Sequence, residues 1–278
     1  MTAIKIASSK IERAVGWVEQ TPLDIRGTWQ AADPRVPLAS NLVQLWRLSP
    51  TDWADHYDRF WSLLDWQEKT RAERFRFQRD RLRFVVARGS LRCLLGWATD
   101  CHPARVSIAA NCYGKPHLGD GRQDIQMNTS HSGDFVVHAL TQGGPVGVDV
   151  ERLRPMAELA SITSRFAPDE AVELSCLPEG LRESSFFALW TRKEAYVKGL
   201  GTGFSKALNS FSMTARCDEA PRLKYDLQDP RAARLWRFVG FSPDAGYVAC
   251  LAARGSIGAI HFWDFDEVTM AASAHNRP

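Results

Sequence analysis

From Leu42 to Leu48 apolar residues alternate with polar ones, which predicts a first strand, and Ser49-Pro50-Thr51-Asp52 then offers a cap and a helix start. Trp53, Tyr57, Phe60, Trp61 and Leu64 follow at spacings of three and four, the signature of an amphipathic helix. A second, longer helix is predicted over roughly 67–98, with Phe75, Leu82, Val85, Val86, Leu91, Leu94 and Leu95 as its apolar face. After Ser107 the period falls to two, and strands are expected near 105–109, 125–130, 134–141 and 146–150. Helical spacing returns over 156–176 and 181–200, and short strands follow at 209–215, 222–227, 234–241, 246–253 and 257–263. Residues 1–40 carry Pro, Gly and isolated Trp without periodicity and read as an N-terminal extension, while 265–278 form a tail. The order of elements predicts an α+β protein of two similar halves, 41–145 and 146–264.

Composition narrows the class. The 278 residues are 45% hydrophobic and 24% charged, the balance of a soluble globular protein with a packed core. The net charge of +3 is too small to imply a polyanionic partner by itself. Six cysteines, at 93, 101, 112, 176, 217 and 250, include no C-x-x-C pair and no zinc-type spacing, so they read as buried, reduced thiols. Lys5, Lys10, Glu12 and Arg13 interrupt every apolar run near the N-terminus, which removes a secretory leader. No stretch approaches the roughly 18 apolar residues of a membrane span, so a cytoplasmic protein without a membrane partner is expected, and the sequon Asn128-Thr129-Ser130 is accidental.

Charge is unevenly placed. Within 68–92, nine basic side chains (Lys69, Arg71, Arg74, Arg76, Arg79, Arg81, Arg83, Arg88 and Arg92) stand against Glu68, Glu73 and Asp80, a local +6. Guanidinium forks match phosphate oxygens, so this helix reads as a phosphate-binding face, as a solvated face or as a nucleic-acid surface. The last is weakened by the lack of an RNP-type motif or a zinc finger. In Gly147-Val148-Asp149-Val150-Glu151 two carboxylates lie two apart on a strand and so share one face, with Val148 and Val150 turned to the core. Alone, such a pair is a weak signal of a metal, because acidic pairs on exposed strands are common.

On the helix at 181–200, Trp190, Glu194 and Lys198 are spaced by four and form one stripe. The plain reading is a surface Glu–Lys pair, but Trp190 draws that stripe inward, where an unpaired charge is expensive. A third carboxylate beside Asp149 and Glu151 makes an all-oxygen set with room for water and phosphate, the preference of Mg2+, and the absence of nearby His or Cys disfavours zinc. Gly114-Lys115-Pro116 puts a cation on a tight turn, and Asn128-Thr129-Ser130-His131-Ser132-Gly133, expected between two strands, gathers groups suited to an anion nest. Either segment reads equally as a polar turn. Gly199, Gly201 and Gly203 follow a helix and read as its stop.

In order and spacing, GKP at 114–116, NTSHSG at 128–133, GVDVE at 147–151 and FFALWTRKEAYVKGLGTGF at 186–204 resemble the motif series of the 4′-phosphopantetheinyl transferases of the surfactin-synthetase-activating (Sfp-like) type, over roughly 42–255. The resemblance implies the fold of that family: a monomeric pseudodimer of two α+β halves that binds coenzyme A at their junction. It implies transfer of phosphopantetheine to a serine of an apo acyl, peptidyl or aryl carrier protein, with release of adenosine 3′,5′-bisphosphate and no nucleic-acid partner. Carried over residue by residue, it makes Asp149, Glu151 and Glu194 the Mg2+ ligands and Lys198 a contact to the pyrophosphate. Lys115, Ser130 and His131 become phosphate contacts, and Arg71 and Arg83 reach the 3′-phosphate. Glu194 or a water held by Glu151 is the base. One position departs: Glu68, with Lys69 beside it, stands where the family usually has a basic residue. A Mg2+-dependent nuclease or phosphohydrolase, or a nucleic-acid-binding module using the arginine helix, is the alternative.

Overall fold

The computed structural model describes residues 4–5, 29–33, 36–122, 124–156 and 158–272. The first half contains strands β1 (Ile4–Lys5), β2 (Gln30–Ala31) and β3 (Leu42–Leu48), and helices α1 (Tyr57–Leu63), α2 (Trp66–Glu73) and α3 (Gln78–Thr99). Strands β4 (Ile108–Ala110), β5 (Pro116–Leu118), β6 (Ile125–Ser132) and β7 (Phe135–Gln142) complete it. The second half runs through β8 (Val146–Arg152), α4 (Leu159–Thr163), α5 (Pro168–Cys176), α6 (Glu179–Leu200), β9 (Phe211–Met213), β10 (Leu223–Asp226), α7 (Ala232–Leu235), β11 (Trp236–Phe241) and β12 (Tyr247–Arg254). The chain ends on β13 (Ala259–Asp264) and α8 (Glu267–Ala272).

The mixed α+β class matches the expectation from sequence. Of four sheets among the described residues, the largest has the order β1-β13-β3-β7-β6, with β2 also on β13, the second is β11-β12-β8, and β9–β10 and β4–β5 form two-stranded pairs. The inner faces of the two larger sheets share a core in which Val43, Leu45, Val137 and Ala139 meet Val148, Val150, Ala249 and Leu251. Outside them, α3 packs over the first sheet through Val85, Val86, Leu91 and Leu94, and α6 packs over the second through Phe187, Ala195 and Tyr196. Four layers result, helix, sheet, sheet and helix, because each sheet has two apolar faces to cover.

Four features differ from the expectation. The long helix is two, α2 and α3, because Arg74-Phe75-Arg76-Phe77 alternates with period two and cannot extend a 3.6-residue stripe. Asp65 starts the shorter helix by a capping box, its carboxylate accepting the Glu68 N–H at 2.9 Å while Glu68 accepts the Asp65 N–H at 3.0 Å. The helix expected over 156–176 is α4 and α5, with Pro168 opening the second, a place where its missing N–H costs nothing. The strand expected at 257–263 is β13, which joins the first sheet in parallel beside β3 rather than the second. Of the ends read as extension and tail, β1 and β2 both pair with β13, and α8 brings Met270 into the first half's core. Residues 1–3, 6–28 and 34–35 of the extension lie outside the described residues.

Two backbone features fix the second half. Helix α6 stops at Gly201, at φ +71°, whose N–H is taken by the Val197 carbonyl at 3.0 Å, the glycine stop read from sequence. Strand β8 passes so close beneath α6 that a Cβ at Gly147 would lie 2.1 Å from the Ala195 carbonyl oxygen, so only glycine fits there. The contact sets α6 directly on the face of β8 that bears Asp149.

Candidate active site

Alternation along β8 sends Val148 and Val150 into the shared core and turns Asp149 and Glu151 to the other face, beneath α6. Asp149 is 4% exposed. Its Oδ1 accepts hydrogen bonds from Ser130 Oγ at 2.8 Å and Lys198 Nζ at 2.6 Å, while Oδ2 is buried with no hydrogen-bond partner among the described residues. Glu151 accepts from Ser132 Oγ at 2.7 Å, and Arg154 lies 3.8 Å away.

Glu194 and Lys198 come from α6, one turn apart, on the stripe that begins with Trp190. The indole is half-buried against Phe166 and Phe186, so the stripe does face inward. Burial raises the Glu194 carboxyl above its ordinary range, and the charges of Asp149 and Glu151 push it the same way against Lys198. Glu151 is likewise raised, by burial first and by Asp149 after it, despite the Ser132 bond. Three acids thus repel one another across the β8–α6 contact, an arrangement a bound cation would relieve. Among the described residues no three acid, histidine or cysteine groups are already gathered at metal-binding spacing. The donors are all oxygen, and the orphaned Asp149 Oδ2 is the kind of atom a hard cation completes.

The remaining predicted residues fall into two groups. Lys115 sits on the expected turn, at Gly114 with φ +87°, but its ammonium bonds the carbonyls of Val146 at 3.0 Å and Gly199 at 2.8 Å. It ties the start of β8 to the last turn of α6, where a cation also meets the helix dipole, and burial lowers its pKa to about 8. The segment 128–133 is not a loop between strands. It is the end of β6, in register with β7 from Thr129↔His138 to Ser132↔Phe135, so its backbone is spent on the sheet rather than forming a nest. The strand pleat separates Ser130, which faces Asp149, from His131, which is exposed. Desolvation, then the cations of Arg83 and Lys198, hold the His131 imidazole below its ordinary range.

The arginine cluster is only partly free. Arg92 is buried and bonds Glu68 at 2.7 Å, Asp65 at 2.9 Å and the carbonyls of Pro103 and Val106, while Arg88 lies 3.1 Å from Glu68. Glu68, the position that departs from the family pattern, is therefore the counter-ion of buried Arg92 and half-buried Arg88. Arg71 stacks over Phe84 at 5.2 Å, and Arg83 donates to the Gly133 carbonyl at 3.1 Å, beside the β6–β7 turn. Sequence reasoning grouped Ser132 in an anion nest and missed it as the hydrogen-bond partner of Glu151. Its period-two spacing with Ser130 on one strand is the signal that places both on the side of β8.

An acidic trio with a lysine thus lies where β8 meets α6, tied to strand β6 of the first half through Ser130 and Ser132. Residues 145–252 match the 4′-phosphopantetheinyl transferase superfamily, and residues 44–142 match the family described as 4′-phosphopantetheinyl transferase, N-terminal. The 4′-phosphopantetheinyl transferase HetI of Nostoc sp. is 32% identical over 244 residues, 87% of this chain and 100% of the relative. A 4′-phosphopantetheinyl transferase of Bacillus pumilus is 30% identical over 221 residues, 79% and 91% of the two chains. The chain belongs to the 4′-phosphopantetheinyl transferase family. The transferase Sfp of Bacillus subtilis, namesake of the type the motifs resemble, is 28% identical over 162 residues, 58% of this chain and 70% of Sfp. No helix of the described residues is long and apolar enough to cross a membrane.

Proposed function

We propose that this site transfers the 4′-phosphopantetheine group of coenzyme A to a serine of an apo acyl, peptidyl or aryl carrier protein, using Mg2+ held by Asp149, Glu151 and Glu194. The orphaned Asp149 Oδ2 beside two mutually repelled carboxyls is the observation that carries the metal assignment. Bound there, the cation would neutralise charge on the pyrophosphate oxygens. The serine Oγ forms a bond to the phosphorus that bears pantetheine, the pyrophosphate P–O bond breaks, and adenosine 3′,5′-bisphosphate leaves. The serine proton passes to Glu194 or to a water held by Glu151, both of which have carboxyls raised toward the range useful for a base.

His131, Arg83 and Arg71 lie on the α3 side of the junction and would receive the phosphates of coenzyme A, with Arg71 and Arg83 toward the 3′-phosphate. Ser130 and Lys115, phosphate contacts by resemblance, are engaged with Asp149 and with the Val146 and Gly199 carbonyls, and would reach a phosphate only by exchanging those bonds. Both sets of acids come from one chain, so a monomer suffices. The reading places the enzyme in the cytoplasm, where coenzyme A and apo carriers meet.

Incubation with coenzyme A, Mg2+ and a panel of apo carriers, followed by mass spectrometry, should show carriers heavier by one phosphopantetheine. Unchanged mass across all carrier types would sink the reading. Lys198→Ala should lower kcat by about a hundredfold with little change in coenzyme A affinity, since its partner charge grows in the transition state. A loss confined to affinity, measured by titration calorimetry beside kcat, would contradict that role.

A further inference from the structure

Three side chains stand at alternate positions on β6, Asn128, Ser130 and Ser132, and each takes a backbone N–H of β8. Asn128 Oδ1 accepts from Val148 at 2.8 Å, Ser130 Oγ from Val150 at 3.3 Å and Ser132 Oγ from Arg152 at 3.1 Å. The offset of 20 residues is the same at every rung. Strands β6 and β8 are the edges of their respective sheets, where backbone groups lack a ladder partner. Side chains replace the missing ladder, and so they zip the two halves together in one register.

Two rungs do a second task. A hydroxyl has one proton to donate, and here each serine gives it to the carboxylate of the residue before the N–H it accepts. Ser130 donates to Asp149 Oδ1 at 2.8 Å, and Ser132 donates to Glu151 Oε2 at 2.7 Å. The backbone thus fixes the direction of each hydroxyl, and each hydroxyl fixes one oxygen of a carboxylate. The other oxygen is left without such a bond, as Asp149 Oδ2 is among the described residues.

We infer that Ser132 is a positioning residue of the transferase site: by joining the Arg152 N–H to the Glu151 carboxylate it presets that ligand before any cation arrives. The inference rests on the cation-holding reading of Asp149, Glu151 and Glu194. Ser132 is the cleaner probe than Ser130, whose hydroxyl also touches Lys198 at 3.0 Å. Asn128 is the internal control, because its rung bonds a backbone N–H and no carboxylate.

The experiment compares Ser132→Ala, Ser132→Thr and Asn128→Ala with the parent protein by amide hydrogen exchange, by Mn2+ binding followed by electron paramagnetic resonance, and by transfer kinetics. Ser132→Ala should speed exchange at Arg152 and weaken Mn2+ about tenfold, the usual size of such an indirect effect on a metal site. Its kcat should fall at unchanged KM for coenzyme A, and Ser132→Thr, which keeps the hydroxyl, should restore all three. Asn128→Ala should speed exchange at Val148 and leave Mn2+ affinity within about twofold, since its rung touches no ligand. Unchanged Mn2+ affinity in Ser132→Ala, or an equal loss in Asn128→Ala, would overturn the positioning role. Should Ser132→Ala not fold, Ser132→Thr carries the test: parent-like exchange at Arg152 with parent-like Mn2+ affinity supports the role, and loss of either overturns it. A parent protein that neither binds Mn2+ nor modifies a carrier refutes the site reading instead.

Discussion

Glu194→Gln is expected to abolish transfer while leaving the thermal midpoint within a degree or two of the parent. The substitution keeps the shape of the side chain and removes one of three charges that a phosphate-bound cation needs. Metal stabilisation of the reacting phosphoryl oxygens is worth several kcal/mol, and at about 1.4 kcal/mol per factor of ten the loss in kcat is about a thousandfold. Stability should barely respond. The Glu194 carboxylate makes no hydrogen bond among the described residues, and its charge is opposed by Asp149 and Glu151, so neutralising it relieves repulsion. Asp149→Ala should be equally inactive. Turnover near the parent value in Glu194→Gln, measured with saturating coenzyme A and carrier, would refute the metal assignment.

The neighbouring position should behave in the opposite way. Lys193 and Glu170 are both 0% exposed, and the ammonium reaches the two carboxylate oxygens at 2.7 and 2.6 Å and the Phe211 carbonyl at 2.9 Å. The Phe211 ring lies 4.1 Å from the same nitrogen. Glu170 in turn accepts the N–H groups of Ala167 and Met213, so one pair fastens α5, α6 and β9. Burial lowers the Lys193 pKa to about 8 against the pull of Glu170. Lys193→Ala strands a buried carboxylate, which typically costs about 3–5 kcal/mol. At roughly 2–4 °C per kcal/mol for a chain of this size, the midpoint should fall by about 10 °C. A shift below two degrees in a thermal melt would show that the pair is not structural. Adjacent residues on one helix thus divide the labour, Lys193 holding the fold and Glu194 serving the chemistry.

That division was only half legible in the sequence. Periodicity two in GVDVE placed Val148 and Val150 in the core and Asp149 and Glu151 on one face, because strand geometry leaves no other choice. Spacing by four placed Glu194 and Lys198 on one stripe for the same kind of reason. Nothing local distinguishes Lys193 from a surface lysine, since its partner lies 23 residues away on another helix. Ser130 and His131 were read together, yet a pleat sends neighbours to opposite sides, so one faces Asp149 and the other faces the arginine helix. Hydrophobic spacing resumes after residue 77, so 67–98 reads as one helix, although the capping box at Asp65 and Glu68 marks a separate start. The pairing of β13 with β3, across more than two hundred residues, has no trace in local pattern at all.

That pairing also sets an order of events. Strand β13 lies between β1 and β3, inside the first sheet, although it is made after everything in the second half. Residues 146–254 are therefore an insert within the first half rather than a module appended to it. During synthesis β3 waits with an open edge until the insert has emerged, and only then does the first sheet acquire its inner strand. Contacts of such long sequence separation form slowly. A chain cut after β12 would keep all the acids and the lysine of the site, yet it would lose a strand from the middle of the sheet that carries Ser130 and Ser132.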